Sequence, residues 1–168
     1  QWVDTSLIEA MIFLLDFQAA RWLVDQEVPP QQGNHHPTIA PMGAFRTQDG
    51  FINIAPMPNH WPAFCKTTGL EALIDDPKYS SFDARVEHRA ELIVEIEKAT
   101  TQKSSDYWIE ALNEARVPCG PIYAMDQVFA DPQIVHSGIA SKVRSSARGE
   151  IEVVGQPLHL TRTPNRHD

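Results

Sequence analysis

A chain of 168 residues with a formal net charge of -8 and 42% hydrophobic residues is long enough to bury a core, and its acidic balance argues against general nucleic-acid binding. The two cysteines, Cys65 and Cys119, form neither a disulfide framework nor a Cys-x-x-Cys site, so a reducing, cytoplasmic compartment is expected. Thirteen prolines against eight glycines cluster near residues 29–62 and 117–164, where irregular connections should join a few regular elements.

Residues 5–27 read as a helix. Asp4, Thr5 or Ser6 can cap it, Glu9 stands three residues after Ser6, and Leu7, Ile8, Met11, Ile12, Leu15 and Trp22 spread over more than one stripe. Such a helix needs burial partners on several sides. Asp16, Arg21 and Asp25 interrupt it before about 18 apolar residues accumulate, so no membrane span is expected. Arg21 and Asp25 stand at the spacing of a helical ion pair. The opening Gln-Trp-Val-Asp has neither a basic n-region nor a cleavage signal and reads as cut from something longer.

From Val28 to Pro41 no period is visible, and four prolines mark a linker or functional loop. Gly43–Thr47 and Phe51–Ala55 flank Asp49-Gly50 as a hairpin. Helices are expected near 59–68, 83–100 and 104–115, the last capped at Ser104 or Ser105, with Asp76-Pro77 between the first two. Val117–Pro121 leads into an extended Ile122-Tyr123, and a short helix near 125–130 is stopped by Asp131-Pro132. Residues 141–144 and 150–160 read as a second hairpin. Helix, hairpin, helices, hairpin is an α+β order rather than a βαβ series.

Four constellations could carry chemistry. His35 and His36 are adjacent on an extended segment, so their rings point apart and one metal ion would not suit both; a loop lining a ligand pocket and a solvated loop are the competing readings. Cys119, between Pro118 and Gly120, could be an exposed nucleophile or a small buried side chain. Asp16 in an apolar helix could have a raised pKa or form an ion pair with Arg21 or a lysine elsewhere. Lys142, Arg144 and Arg148, with Arg162 and Arg166, could meet phosphates or be solvated strand ends. Phosphate-loop, dinucleotide, serine-hydrolase and zinc-protease motifs are all missing.

The ordered words of the sequence say more. Gln1–Ala10, Gly33–Pro37 with Ile39–Phe45, Thr47–Ala55, Asn59–Trp61, Asp76–Tyr79 with Phe82–Arg85, Val117–Ile122, Asp131–Gln133 and Val154–Leu158 together resemble the C-terminal half of the family III CoA-transferases, a group that includes racemases of methylacyl-CoA esters. The resemblance implies a division of the chain: residues 1–28 as a helix leaving a Rossmann-like large domain that is mostly absent, 29–41 as a linker, 42–160 as a small two-layer α+β domain, and 161–168 as the start of a return linker. It also implies an interlocked homodimer, no covalently bound cofactor and no metal, with a coenzyme A thioester and a carboxylic acid as substrates.

In that family an aspartate attacks the acyl-CoA and passes through a mixed anhydride to an aspartyl-CoA thioester. The resemblance places that aspartate upstream of Gln1, so neither Asp4 nor Asp16 takes its role, and the chain is expected to be inactive alone. Its expected contribution is a wall of the active site, with Asn34, His35, His36, Met42 and Gly43 as substrate-binding residues. The family's glycine-rich loop is reduced here to Gly43 within Ile39–Gly43, which argues against formyl or oxalyl specificity. The racemases carry a supporting glutamate where Pro58 falls, which tilts the reading to a transferase over a racemase or a non-catalytic assembly module. Exchanges at His36 and Gly43 are expected to affect acid binding more than folding.

Overall fold

Alternating apolar and polar side chains along Phe51–Ile54 build the centre of the molecule. The computed structural model describes residues 4–155 together with Pro157 and Arg162. Within it, Gly43–Arg46 (β1), Phe51–Ile54 (β2) and Cys119–Pro121 (β3) form an antiparallel sheet in the order β1-β2-β3. Ile52 and Ile54 are wholly buried, whereas Phe51 and Asn53 lie on the open face. Register sets Ala44, Asn53 and Gly120 side by side on that open face.

The buried face carries the helices Arg89–Thr100 (α5) and Ser105–Glu114 (α6), and Trp61–Thr68 (α3) packs against both. Phe45, Ile52 and Ile54 share one core with Phe64, Leu92, Ile96, Leu112 and Val117. The result is a two-layer α+β domain. Polar ties fix the layers: the Trp108 indole donates to the Thr100 carbonyl at 2.7 Å, and the Thr100 hydroxyl donates to the Arg46 carbonyl at 2.6 Å. At the hairpin turn, the Asp49 carboxylate accepts from the Ser105 N–H and hydroxyl, each at 2.8 Å. These bonds hold the Asp49 carboxyl below its ordinary range.

Two expected helices are broken. The first becomes Leu7–Phe13 (α1) and Phe17–Asp25 (α2), with Asp16 between them at a positive φ of 43°. Its start is as expected, a reciprocal capping box between Ser6 and Glu9. Arg21 pairs with Glu27, beyond a left-handed Gln26, instead of with Asp25. The second becomes Phe82–Glu87 (α4) and α5, parting at His88.

A 3₁₀ turn over Pro58–His60 precedes α3. Asp131-Pro132 does stop the short helix Met125–Ala130 (α7), but it also starts another, Pro132–Ser137 (α8), because Asp131 caps it and proline suits the first helical position. Ala140–Ser145 (β4) and Gly149–Val154 (β5) form the second hairpin. Its second strand, expected over 150–160, ends at Val154: Gly155 and Pro157 stand outside it, and 156 and 158–160 lie outside the described residues, as does the expected start of a return linker over 161–168 apart from Arg162. Among the described residues no helix is long and apolar enough to cross a membrane.

Candidate functional site

The five residues picked from the sequence come together, and backbone pairing is what joins them. His35 bridges to Gly43 as an addition to the edge of β1. The His36 N–H donates to the Met42 carbonyl at 2.9 Å, and the Ala44 N–H donates to the Asn34 carbonyl at 3.1 Å. Gly43 permits this approach. At its φ of +151° a Cβ would stand 2.5 Å from His35 Nδ1 and 2.9 Å from His35 Cα, and closer still to the Asn34 carbonyl oxygen. Gly43 therefore shapes the loop, and an exchange there disturbs the local fold as well as anything bound to it.

The two imidazoles do diverge. His35 packs edge-on against Phe45 at 5.4 Å between centroids, whereas His36 stacks on Phe17 of α2 at 5.3 Å. His36 Nδ1 accepts from the backbone N–H groups of Thr38 and Ile39, each at 3.2 Å. A nitrogen that receives two donors carries no proton, so the ring proton sits on Nε2. Burial lowers the pKa of both rings, with the Arg89 guanidinium adding to the effect; at His35 the Glu97 carboxylate and a bond to the Met42 backbone oppose it. Among the described residues no three His, Cys, Asp or Glu side chains converge on a metal position.

Two arginines not singled out in the sequence hold this loop from behind. Arg89, the first residue of α5, donates to the carbonyls of His36 at 2.5 Å and Pro37 at 2.9 Å, and to the Gln32 side chain at 3.2 Å. Arg85, only 3% exposed, donates to the carbonyls of Ala40 at 3.1 Å and Tyr79 at 2.8 Å and lies over the Trp61 ring. Neither forms an ion pair among the described residues. No sequence signal marked Arg89, because the apolar pattern places it inside one continuous helix over 83–100; the break at His88 is what puts it at a helix start, where its charge opposes the macrodipole. Gln32, Pro37, Val86, Arg89 and Ile93 also line an open depression of about 400 Å³ beside the loop.

The remaining candidates separate. The half-buried Cys119 has its sulfur 3.6 Å from the Ile109 carbonyl oxygen, and burial raises its pKa. Cys65 lies in the core with its thiol pushed up to about 12. Neither is poised as a thiolate nucleophile. Asp16 is exposed at the break between α1 and α2 and makes no capping bond. Lys142 pairs with Glu150 across β4 and β5 at 3.0 Å. Arg166 lies outside the described residues.

The model of CoA-transferase family III matches residues 1–168. Human succinyl-CoA:glutarate CoA-transferase is 31% identical over 161 residues, covering 95% of this chain and 37% of that protein. Succinyl-CoA:mesaconate CoA-transferase of Haloarcula marismortui is 31% identical over 165 residues, covering 97% of this chain and 41% of that protein. A CAIB/BAIF family protein from Brucella suis superposes with a TM-score of 0.81 at 28% identity, covering 100% of this chain and 43% of its own. The chain thus spans about two fifths of the length of the curated relatives it matches, and their matching portion is the C-terminal one. On the family model's coverage of its whole length, this chain belongs to CoA-transferase family III.

Proposed function

We propose that the chain is the C-terminal part of an acyl-CoA:carboxylate CoA-transferase and supplies one wall of its active site together with contacts to a second, interlocked copy. The observation that carries this reading is the whole-chain family match combined with relatives that continue for more than half their length beyond it. In the exchange, a carboxylate held outside this chain takes the acyl group from the thioester sulfur. The resulting anhydride is opened by CoA to give an enzyme thioester and release the first acid. The second acid repeats the two steps in reverse, so one thioester is broken and one formed with no net redox change.

Asn34, His35, His36, Met42 and Gly43 form the wall facing the entering acid, and His36 Nε2–H is the donor offered to its carboxylate. Glutarate and mesaconate, the acids named for the relatives, are both dicarboxylic. A dicarboxylic acid is accordingly the substrate class we assign. Chemistry proceeds without a covalently bound cofactor, in a reducing cytoplasmic compartment that keeps Cys65 and Cys119 as the free thiols they are here.

The test uses the complete enzyme with succinyl-CoA and a panel of free acids. CoA appearing on glutarate or mesaconate is the expected result. Absence of exchange with any acid, together with deuterium uptake from solvent at the carbon alpha to the thioester, would replace this reading by the racemase one.

A further inference from the structure

We propose that Arg89 is a positioning residue for the acid-binding wall, clamping the segment from Gln32 to Pro37 so that His36 presents Nε2–H to the substrate carboxylate. The inference rests on the reading of that wall given above and adds a residue to it. Arg89 stands on α5, fifty-three positions along the chain from His36, and its guanidinium bridges three acceptors of one loop: the His36 and Pro37 carbonyls and the Gln32 side chain. A planar fork of donors suits this task, whereas an ammonium group can meet the three acceptors only by moving.

The clamp acts on the carbonyl of the very residue whose ring is to be aimed. Downstream of that carbonyl, Pro37 fixes its own φ, and the N–H groups of Thr38 and Ile39 fold back onto His36 Nδ1. The ring is thereby tied at one nitrogen, and its other nitrogen has no acceptor among the described residues. Phe17 stacks on one face of the ring, its centroid 5.3 Å away. Protonating this imidazole would turn Nδ1 from acceptor to donor and break both backbone bonds, so the neutral Nε2–H form is the one the loop selects. Arg89 is the charged group facing His36; His35 also feels Glu97 from α5. A guanidinium so placed also favours a neutral ring electrostatically.

Without the clamp, the Gln32–Pro37 segment keeps its pairing to Gly43 and Met42 but loses its tie to α5. The wall then shifts relative to the helix layer, and the cost falls on binding of the acid.

The experiment has two arms. In the 168-residue chain, nuclear magnetic resonance of the His36 ring reads the tautomer from its carbon and nitrogen shifts, in wild type, Arg89→Lys, Arg89→Met and Gln32→Ala. The expected result is a pure Nε2–H tautomer in wild type and a mixed one in Arg89→Met, with the pKa moving back toward 6.5. Arg89→Lys should fall between them. In the complete enzyme, Arg89→Met should raise KM for the acid about tenfold with a smaller change in kcat, and Arg89→Lys should recover part of it.

A His36 ring unchanged in Arg89→Met overturns the clamp, and an unchanged KM beside an altered ring overturns its role in acid binding. Should Arg89→Met fail to fold, the milder Gln32→Ala decides: a smaller shift of the ring in the same direction supports the clamp, and no shift overturns it. Failure of the wild-type enzyme to exchange CoA would instead sink the transferase reading, while the ring measurement still decides whether Arg89 positions His36.

Discussion

Burial, ahead of the Arg89 guanidinium, lowers the pKa of His35 and His36, and this couples the loop to pH. In the unfolded chain each binds a proton near its ordinary 6.5, whereas in the folded chain each binds it only at lower pH. The unfolded state thus holds more protons just below 6.5, and stability falls as pH drops through that window. The thermal midpoint of the chain should decrease between about pH 7 and pH 5.5, and His35→Gln/His36→Gln should flatten the slope. A slope identical in the double variant would refute the assignment. Thiol chemistry gives a second check at this scale. Cys65, with its pKa pushed up to about 12, and the partly buried Cys119 should resist alkylation at neutral pH until the chain is unfolded; rapid labelling of either in the native state contradicts their placement. At Gly43 the φ of +151° and the blocked Cβ position predict that Gly43→Ala destabilises the chain by at least about 1–3 kcal/mol in urea unfolding.

Among the elements, Ser104 shows how a local rule becomes a tertiary one. Its hydroxyl accepts from the Tyr107 N–H at 3.3 Å, and the helix it starts places Ser105 against Asp49 and Trp108 against Thr100. Ser104→Ala should cost about 1 kcal/mol in urea unfolding, and a neutral result would show that Asp49 alone anchors that end of α6. This cap, the Asp49-Gly50 hairpin and the Ser6–Glu9 box were legible in the sequence because each is decided within four residues. The breaks at Asp16 and His88 were not, since the apolar pattern runs on through both. Nor was β3 visible as the third strand of the sheet: Cys119–Pro121 is three residues long and is identified by pairing with a strand far back in the chain. The same holds for the site. The histidine loop stood out as an aperiodic stretch, whereas Arg85 and Arg89 gain their meaning from carbonyls more than forty residues away.

At the scale of the whole molecule, the core and the N-terminal helices obey different rules. Around the sheet, Phe45, Ile52, Ile54, Phe64, Leu92 and Leu112 are completely buried. Along α1 and the break after it, Leu7 is 89% exposed, Phe13 84% and Leu14 72%, and α1 has no buried residue. Full burial of one Leu or Phe side chain is worth roughly 1.5–3 kcal/mol, so several on one short helix exert a strong drive to association. On the reading proposed above, the rest of the enzyme and a second copy cover them. In the 168-residue chain another copy can cover them. Sedimentation of the purified chain at micromolar concentration should therefore show a self-associating species. The triple change Leu7→Glu, Met11→Glu and Leu14→Glu should shift it to monomer while the chain stays folded, because these exposed side chains contribute nothing to the sheet's core. A wild-type chain that sediments as a clean monomer would mean that α1 folds back on its own domain in solution. A triple variant that unfolds would mean that α1 is part of the core after all.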